Sequence, residues 1–208
     1  MPIKSALEIV MERTTALKPD SAAIKANERR RDGKRLAGEY LANPDAVDLK
    51  ARIEGEPKED RSLLREGAYE TLATRIQLPL SRDSDGGADL AVAAKGFAAL
   101  AIGFGAEGKV EKLFQQLQAF MQRFISDADQ LDQGLRRQFE PRLRQREQEA
   151  AARTGRAVRL DPMSDPEFVK VYQQQAGMLK SQYQGVLDKA KLDLAALLGI
   201  EREDRGTD

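Results

Sequence analysis

EGKVEKLFQQLQAFMQRFISDADQLDQGLRRQFEPRLRQREQEAAART, residues Glu107–Thr154, decides the fold. Val110, Leu113, Phe114, Leu117, Phe120, Phe124, Leu131, Leu135, Phe139 and Leu143 recur mostly at steps of three and four. That spacing stacks side chains along one stripe of a helix. Gln, Arg and Glu fill much of the remaining surface. The pattern predicts one long helix, bent at Pro141 because proline lacks the N–H and crowds the preceding turn. Gly155 ends it, since glycine accepts the left-handed backbone that closes a helix. A connector, Arg156 to Met163, leads to Ser164-Asp165-Pro166-Glu167, a helix start with a capping side chain and a first-turn proline. The next helix carries Phe168, Val171, Tyr172, Leu179, Tyr183, Val186, Leu187, Ala190, Leu194 and Leu197 before Gly199. Two long striped helices on a short link are expected to lie side by side as an antiparallel, coiled-coil-like hairpin.

The same signals hold upstream. Ser5-Ala6-Leu7-Glu8 reads as a capping box, and Leu7, Val10, Met11, Thr14 and Leu17 share a face beyond it. Pro19-Asp20-Ser21 opens a second helix to about Ala42, weakened at Gly33, and Asn43-Pro44 is expected to start a third that stops at Gly55. Pro57 begins a fourth, with Leu63, Leu64, Tyr69, Leu72 and Ile76 as its apolar positions and Pro79 as its end. After the polar loop Ser81–Gly87, Ala88 to Ile102 is rich in small apolar residues and reads as a buried core helix. Asp89 and Lys95 argue against a membrane span, because each costs a few kcal/mol in hydrocarbon. Strand-type alternation is nearly absent, so the fold class is all-α. The expected organisation is an N-terminal helical region over 1–103, a long hairpin over 104–199 and a frayed tail over 200–208.

Composition limits the chemistry. The 208 residues contain no His, Cys or Trp, and 34 Lys plus Arg balance 34 Asp plus Glu. No imidazole base, thiolate nucleophile, disulfide or histidine- or cysteine-ligated metal site is possible. Charge cancellation argues against the large single-sign field that steers nucleic acid or anionic membranes. Met1-Pro2-Ile3-Lys4 leads into a charged amphipathic stretch, and no run of about eighteen uncharged apolar residues occurs. A cytoplasmic protein with no membrane segment is expected.

Four constellations invite a functional reading. Gly103-Phe104-Gly105-Ala106-Glu107-Gly108-Lys109-Val110 matches a glycine-rich dinucleotide pattern and misses a phosphate loop by one residue, Val110 standing where a hydroxyl would hold magnesium. Gly105, Gly108 and Lys109 are its candidate phosphate ligands. Either motif needs a preceding strand, whereas the flanks here read as helices, and a turn with positive φ at its glycines is the simpler expectation. Asp83, Asp85 and Asp89 offer oxygen ligands without the ligand spacing of a calcium loop. Glu8/Glu12 and Glu66/Glu70 lie one helical turn apart and read as surface charge. Arginines cluster at Arg29, Arg30, Arg31 and Arg35 with Lys34, and again at Arg136, Arg137, Arg142, Arg144 and Arg146. Arg136, Arg137, Arg142 and Arg144 form a candidate interaction patch, since guanidinium groups pair with phosphates and carboxylates alike. Interleaved acids and the lack of aromatic platforms favour an ion-paired helix face over nucleic-acid contact.

Ile3-Lys4-Ser5-Ala6-Leu7-Glu8-Ile9-Val10-Met11-Glu12-Arg13-Thr14 resembles the opening of a family of uncharacterised bacterial helical proteins. Asp161-Pro162-Met163-Ser164-Asp165-Pro166-Glu167-Phe168 and Tyr183-Gln184-Gly185-Val186-Leu187 are similar to later segments of that family. The resemblance spans most of the chain and implies a bacterial, cytoplasmic protein, with no catalytic residue to carry over. The expectation is therefore a non-enzymatic helical scaffold or interaction module, without cofactor or metal, that binds a protein partner or a second copy. A phosphate- or nucleotide-binding protein using the glycine turn, or weak nucleic-acid binding through the arginines, is the alternative.

Overall fold

The computed structural model describes residues 21–79 and 86–201, with side chains from residue 89 onward in the second stretch. The helix expected over Ser5–Leu17, the loop acids Asp83 and Asp85, and the tail beyond Glu201 lie outside the described residues. All regular structure among the described residues is helical: α1 (Ser21–Ala42), α2 (Leu49–Glu54), α3 (Lys58–Ala73), α4 (Gly86–Ala101), α5 (Glu107–Thr154) and α6 (Pro166–Leu197), with a 3₁₀ turn at Pro162–Ser164. The fold is all-α. The chain divides into two compact units, Met1–Thr71 and Leu72–Asp208. Within the second unit α4 packs on α5, with the Phe97 and Phe114 rings 5.5 Å apart.

In the first unit α1 and α3 meet backbone to backbone. A methyl group at Gly33 would overlap the Leu64 carbonyl oxygen, and one at Gly67 would overlap that of Arg30. Gly33, which costs α1 intrinsic helix stability, is therefore the residue that permits its closest contact. Leu36, Ala37, Tyr40, Leu64, Ala68 and Tyr69 are buried in this unit together with Leu49 and Ile53 of α2. The third helix begins at Leu49 rather than at Asn43-Pro44, where the chain instead forms a turn in which the Ala46 N–H donates to the Asn43 carbonyl at 3.2 Å. Asp48 supplies the cap, its carboxylate accepting from the Ala51 N–H at 2.9 Å.

In the second unit α4 turns Leu90, Ala93, Phe97, Leu100 and Ala101 inward and leaves Ala91 and Lys95 exposed. It is a one-sided helix rather than one buried all round. Gly103 and Gly105 reverse the chain at φ 92° and 62°, values open to glycine at little cost. The long helix α5 continues through Pro141 as one element and stops at Gly155, φ 67°. Asp165 then caps α6, accepting from the N–H groups of Glu167 and Phe168, with Pro166 in the first turn. Helices α5 and α6 pack along a seam: the Phe139 and Phe168 rings meet edge to face at 5.3 Å, and Phe120 and Phe124 lie 4.7 and 5.1 Å from Tyr183.

Candidate functional site

The seam is not uniform. Leu135, Phe139, Leu143 and Phe168 form one buried cluster with Leu131, Leu160, Val171 and Tyr172 against it. Towards the middle, Phe124, Leu131, Tyr172 and Leu179 are only half-buried. They line a groove of about 800 Å³ whose other walls are Ile125, Ala128, Ala176 and the segment Gln77-Leu78-Pro79 that follows α3, with Lys180, Gln184 and Lys191 completing it. Local sequence explains the opening. Both helices read aromatic, alanine, leucine at positions i, i+4 and i+7: Phe124-Ala128-Leu131 on α5 and Tyr172-Ala176-Leu179 on α6. Residues so spaced share a helix face, and a methyl in the middle of each triplet leaves room that a larger side chain would fill. A second hollow, lined by Asp127, Leu131, Gln174, Gln175, Met178, Leu179 and Gln182, abuts the first at Leu131 and Leu179. Met178 there is 59% exposed.

Polar groups pin the seam on either side of the groove. The Tyr183 hydroxyl donates to Asp127 at 2.5 Å. Burial, the hydrogen bond and the Asp127 charge, in that order, push the Tyr183 phenol above its usual range. At the closed end Asp165 is fully buried. Arg146 donates to it at 2.9 Å, and Arg142 lies 3.6 Å away while also binding Glu167. Burial alone would raise the Asp165 carboxyl. The two backbone N–H groups and both arginines outweigh it and hold the group below the usual carboxylate range. Glu147 accepts from the Leu160 N–H at 2.8 Å and ties down the connector.

The structure places the candidate arginines singly rather than as a converging patch. Arg136 is bound to Asp132 at 2.9 Å, Arg144 to Glu140 at 2.6 Å, and Arg142 to Asp165 and Glu167, while Arg137 is exposed. The earlier basic cluster is likewise engaged: Arg29 with Asp60 at 3.0 Å, Arg30 with Glu66 at 2.7 Å and Lys34 with Glu70 at 2.6 Å. Glu66 and Glu70, read as a carboxylate pair, thus each hold a cation of α1. Gly105 sits in the turn between α4 and α5, while Gly108 and Lys109 occupy the first turn of α5, with Gly108 and Lys109 exposed. A helix precedes that turn, where a phosphate loop has a strand. Asp89 pairs with Arg75 at 3.5 Å. Among the described residues no three His, Cys, Asp or Glu side chains gather as a metal site, and no helix is long and apolar enough to cross a membrane.

Sequence reading named Phe124, Leu131, Tyr172 and Leu179 as seam residues but not as groove walls, and it passed over Ala128, Ala176, Lys180 and Lys191. The signal available was the matched triplet with alanine at its centre.

With this geometry in view, the chain belongs to a family of unknown function (DUF6657), matched over residues 50–196. That match covers α2 through almost all of α6, the groove and the Asp165 clamp included. No curated protein and no solved structure matches the chain.

Proposed function

We propose that this protein is a non-enzymatic helical interaction module that receives the apolar face of a protein segment in the mid-seam groove. The reading takes α5 and α6 as an antiparallel, coiled-coil-like hairpin. Its support is the order of contacts: Phe139 meets Phe168, Asp127 meets Tyr183 and Phe120 meets Tyr183, so partner positions rise on α6 as they fall on α5. The observation that carries the reading is the set of half-buried walls, Phe124, Leu131, Tyr172 and Leu179, around two alanines. Fully burying a side chain of this size from an exposed state contributes about 1.5–3 kcal/mol, and a partner that completes the burial of these walls gains the remaining fraction of that at each.

A photoreactive side chain in place of Gln184 in the full-length chain tests the reading in its native host. The expected result is a discrete crosslinked protein that disappears when Leu179→Asp is added and persists with Arg144→Glu. Crosslinks indifferent to Leu179→Asp, or none at all, overturn it.

A further inference from the structure

We infer that the occupant of the groove is an acidic amphipathic helix, an inference that rests on the interaction reading above. Three features carry it. The first is backbone chemistry. The groove is walled by side chains of two helices and a short non-helical segment, and no strand occurs among the described residues. An extended peptide would find no sheet edge to pair its N–H and C=O groups and would leave them desolvated against apolar walls. A helix satisfies those groups internally and presents only side chains.

The second is dimension. The lining residues on α6 run from Tyr172 to Lys191, about 28 Å at the rise of an α-helix, or roughly five turns. A volume of about 800 Å³ falls within the range of ligand-sized pockets. On α5 the lining runs only from Phe124 to Leu131, about 10 Å or two turns, so a helix laid along α6 seats its Leu- or Phe-sized side chains between both walls over that shorter stretch.

The third is charge. The lining holds Lys180 and Lys191 and no carboxylate, and since Lys191 already lies beside Asp188, the charge offered to a partner is that of Lys180. The nearby acids are already committed: Asp127 takes the Tyr183 hydroxyl and lies 3.9 Å from Arg123, and Asp188 takes the Gln184 amide at 2.8 Å and lies 4.0 Å from Lys191. Lys180 is exposed and has no ion pair among the described residues. A partner whose polar flank carries Asp or Glu gains at this rim, whereas a basic one meets like charge.

The test is a displayed library of helical peptides of about eighteen residues, apolar positions fixed at helical spacing and flanking positions randomised, selected on the full-length chain. Asp and Glu are expected to be enriched over Lys and Arg. Lys180→Glu is expected to weaken the winners by about two- to fivefold, the scale of one exposed ion pair, and to invert the selected charge. Ala176→Leu, which fills the groove without adding charge, and Leu179→Asp are both expected to abolish selection. Neutral or basic winners that Ala176→Leu abolishes overturn the acidic partner but leave the groove reading standing. Winners indifferent to both groove variants, or no winners, overturn the two together. Phosphatidylserine vesicles that bind the chain and displace every peptide would replace the acidic helix by an anionic membrane surface.

Discussion

Two stretches of the α5–α6 seam are built from the same kinds of residue to opposite effect. At the closed end Leu135, Phe139, Leu143 and Phe168 bury one another, with the Asp165 carboxylate clamped beside them by Arg142 and Arg146. In the middle stretch aromatic and leucine side chains again line the seam, but Ala128 and Ala176 stand between them and the walls are only half-buried, whereas Leu187 and Leu194 further along α6 are buried again. The apolar stripe sets where two helices meet. The volume of the residues within it sets whether they close, because interiors gain from contact only when packed to near crystal density.

This contrast makes unequal demands on mutation. Phe168→Ala removes a fully buried ring and should cost about 3–5 kcal/mol, whereas Leu179→Ala, only half-buried, should cost about 1–2 kcal/mol by the area it covers. Urea unfolding of the two variants measures both, and equal losses would erase the distinction between the two stretches.

The clamp gives the closed end its own pH response. A carboxyl held below its usual range in the folded protein stabilises the fold above the unfolded value, near pH 4, and that contribution is lost as pH falls through the folded value. Asp165→Asn, which keeps much of the cap but not the charge, should reduce stability at pH 7 and flatten the dependence below pH 4. Thermal unfolding across that range reads it. An unchanged acid limb would mean that the clamp is not the titrating element.

Filling the groove separates it from the packed parts of α6. Ala176→Leu should leave stability within about 1 kcal/mol of wild type or raise it, since the added carbons enter existing space. The same enlargement at Ala195, which is 1% exposed, should cost about 1–3 kcal/mol through overpacking. Comparable losses at both sites would show that the groove is not available volume. The smallest effect is expected at Gly177, within a helix and with nothing within 4 Å of an added Cβ. Gly177→Ala should stabilise by about 0.5–1 kcal/mol, and a loss there would reveal a contact made by this open face.

Much of this architecture is legible in the residues themselves. Helical spacing marks α5 and α6, Gly155 and Gly199 mark their ends, and Asp165-Pro166 marks the start of α6 because a capping carboxylate and a first-turn proline act locally. Features that depend on what another helix brings are less visible. Gly33 reads as a weak point in α1 until α3 arrives with Gly67 and the two backbones touch. Asn43-Pro44 offers a plausible helix start that loses to Asp48 a few residues on. The arginines look like a patch in sequence, and in the fold Arg136 and Arg144 pair with Asp132 and Glu140 while Arg142 and Arg146 share Asp165, partners that helical spacing alone does not distinguish. The groove was hardest to foresee, since alanine within an apolar stripe fits tight packing and open space equally well.

The absence of cysteine from the chain allows the central claim to be tested with a single introduced thiol. Maleimide labelling rates of Ala176→Cys and Leu135→Cys, each in the folded full-length protein, compare the two stretches directly. The account expects Ala176→Cys to react within about tenfold of the unfolded rate and Leu135→Cys to be protected by at least about a hundredfold, as reaction through rare opening requires. Equal protection at the two positions would contradict an open mid-seam.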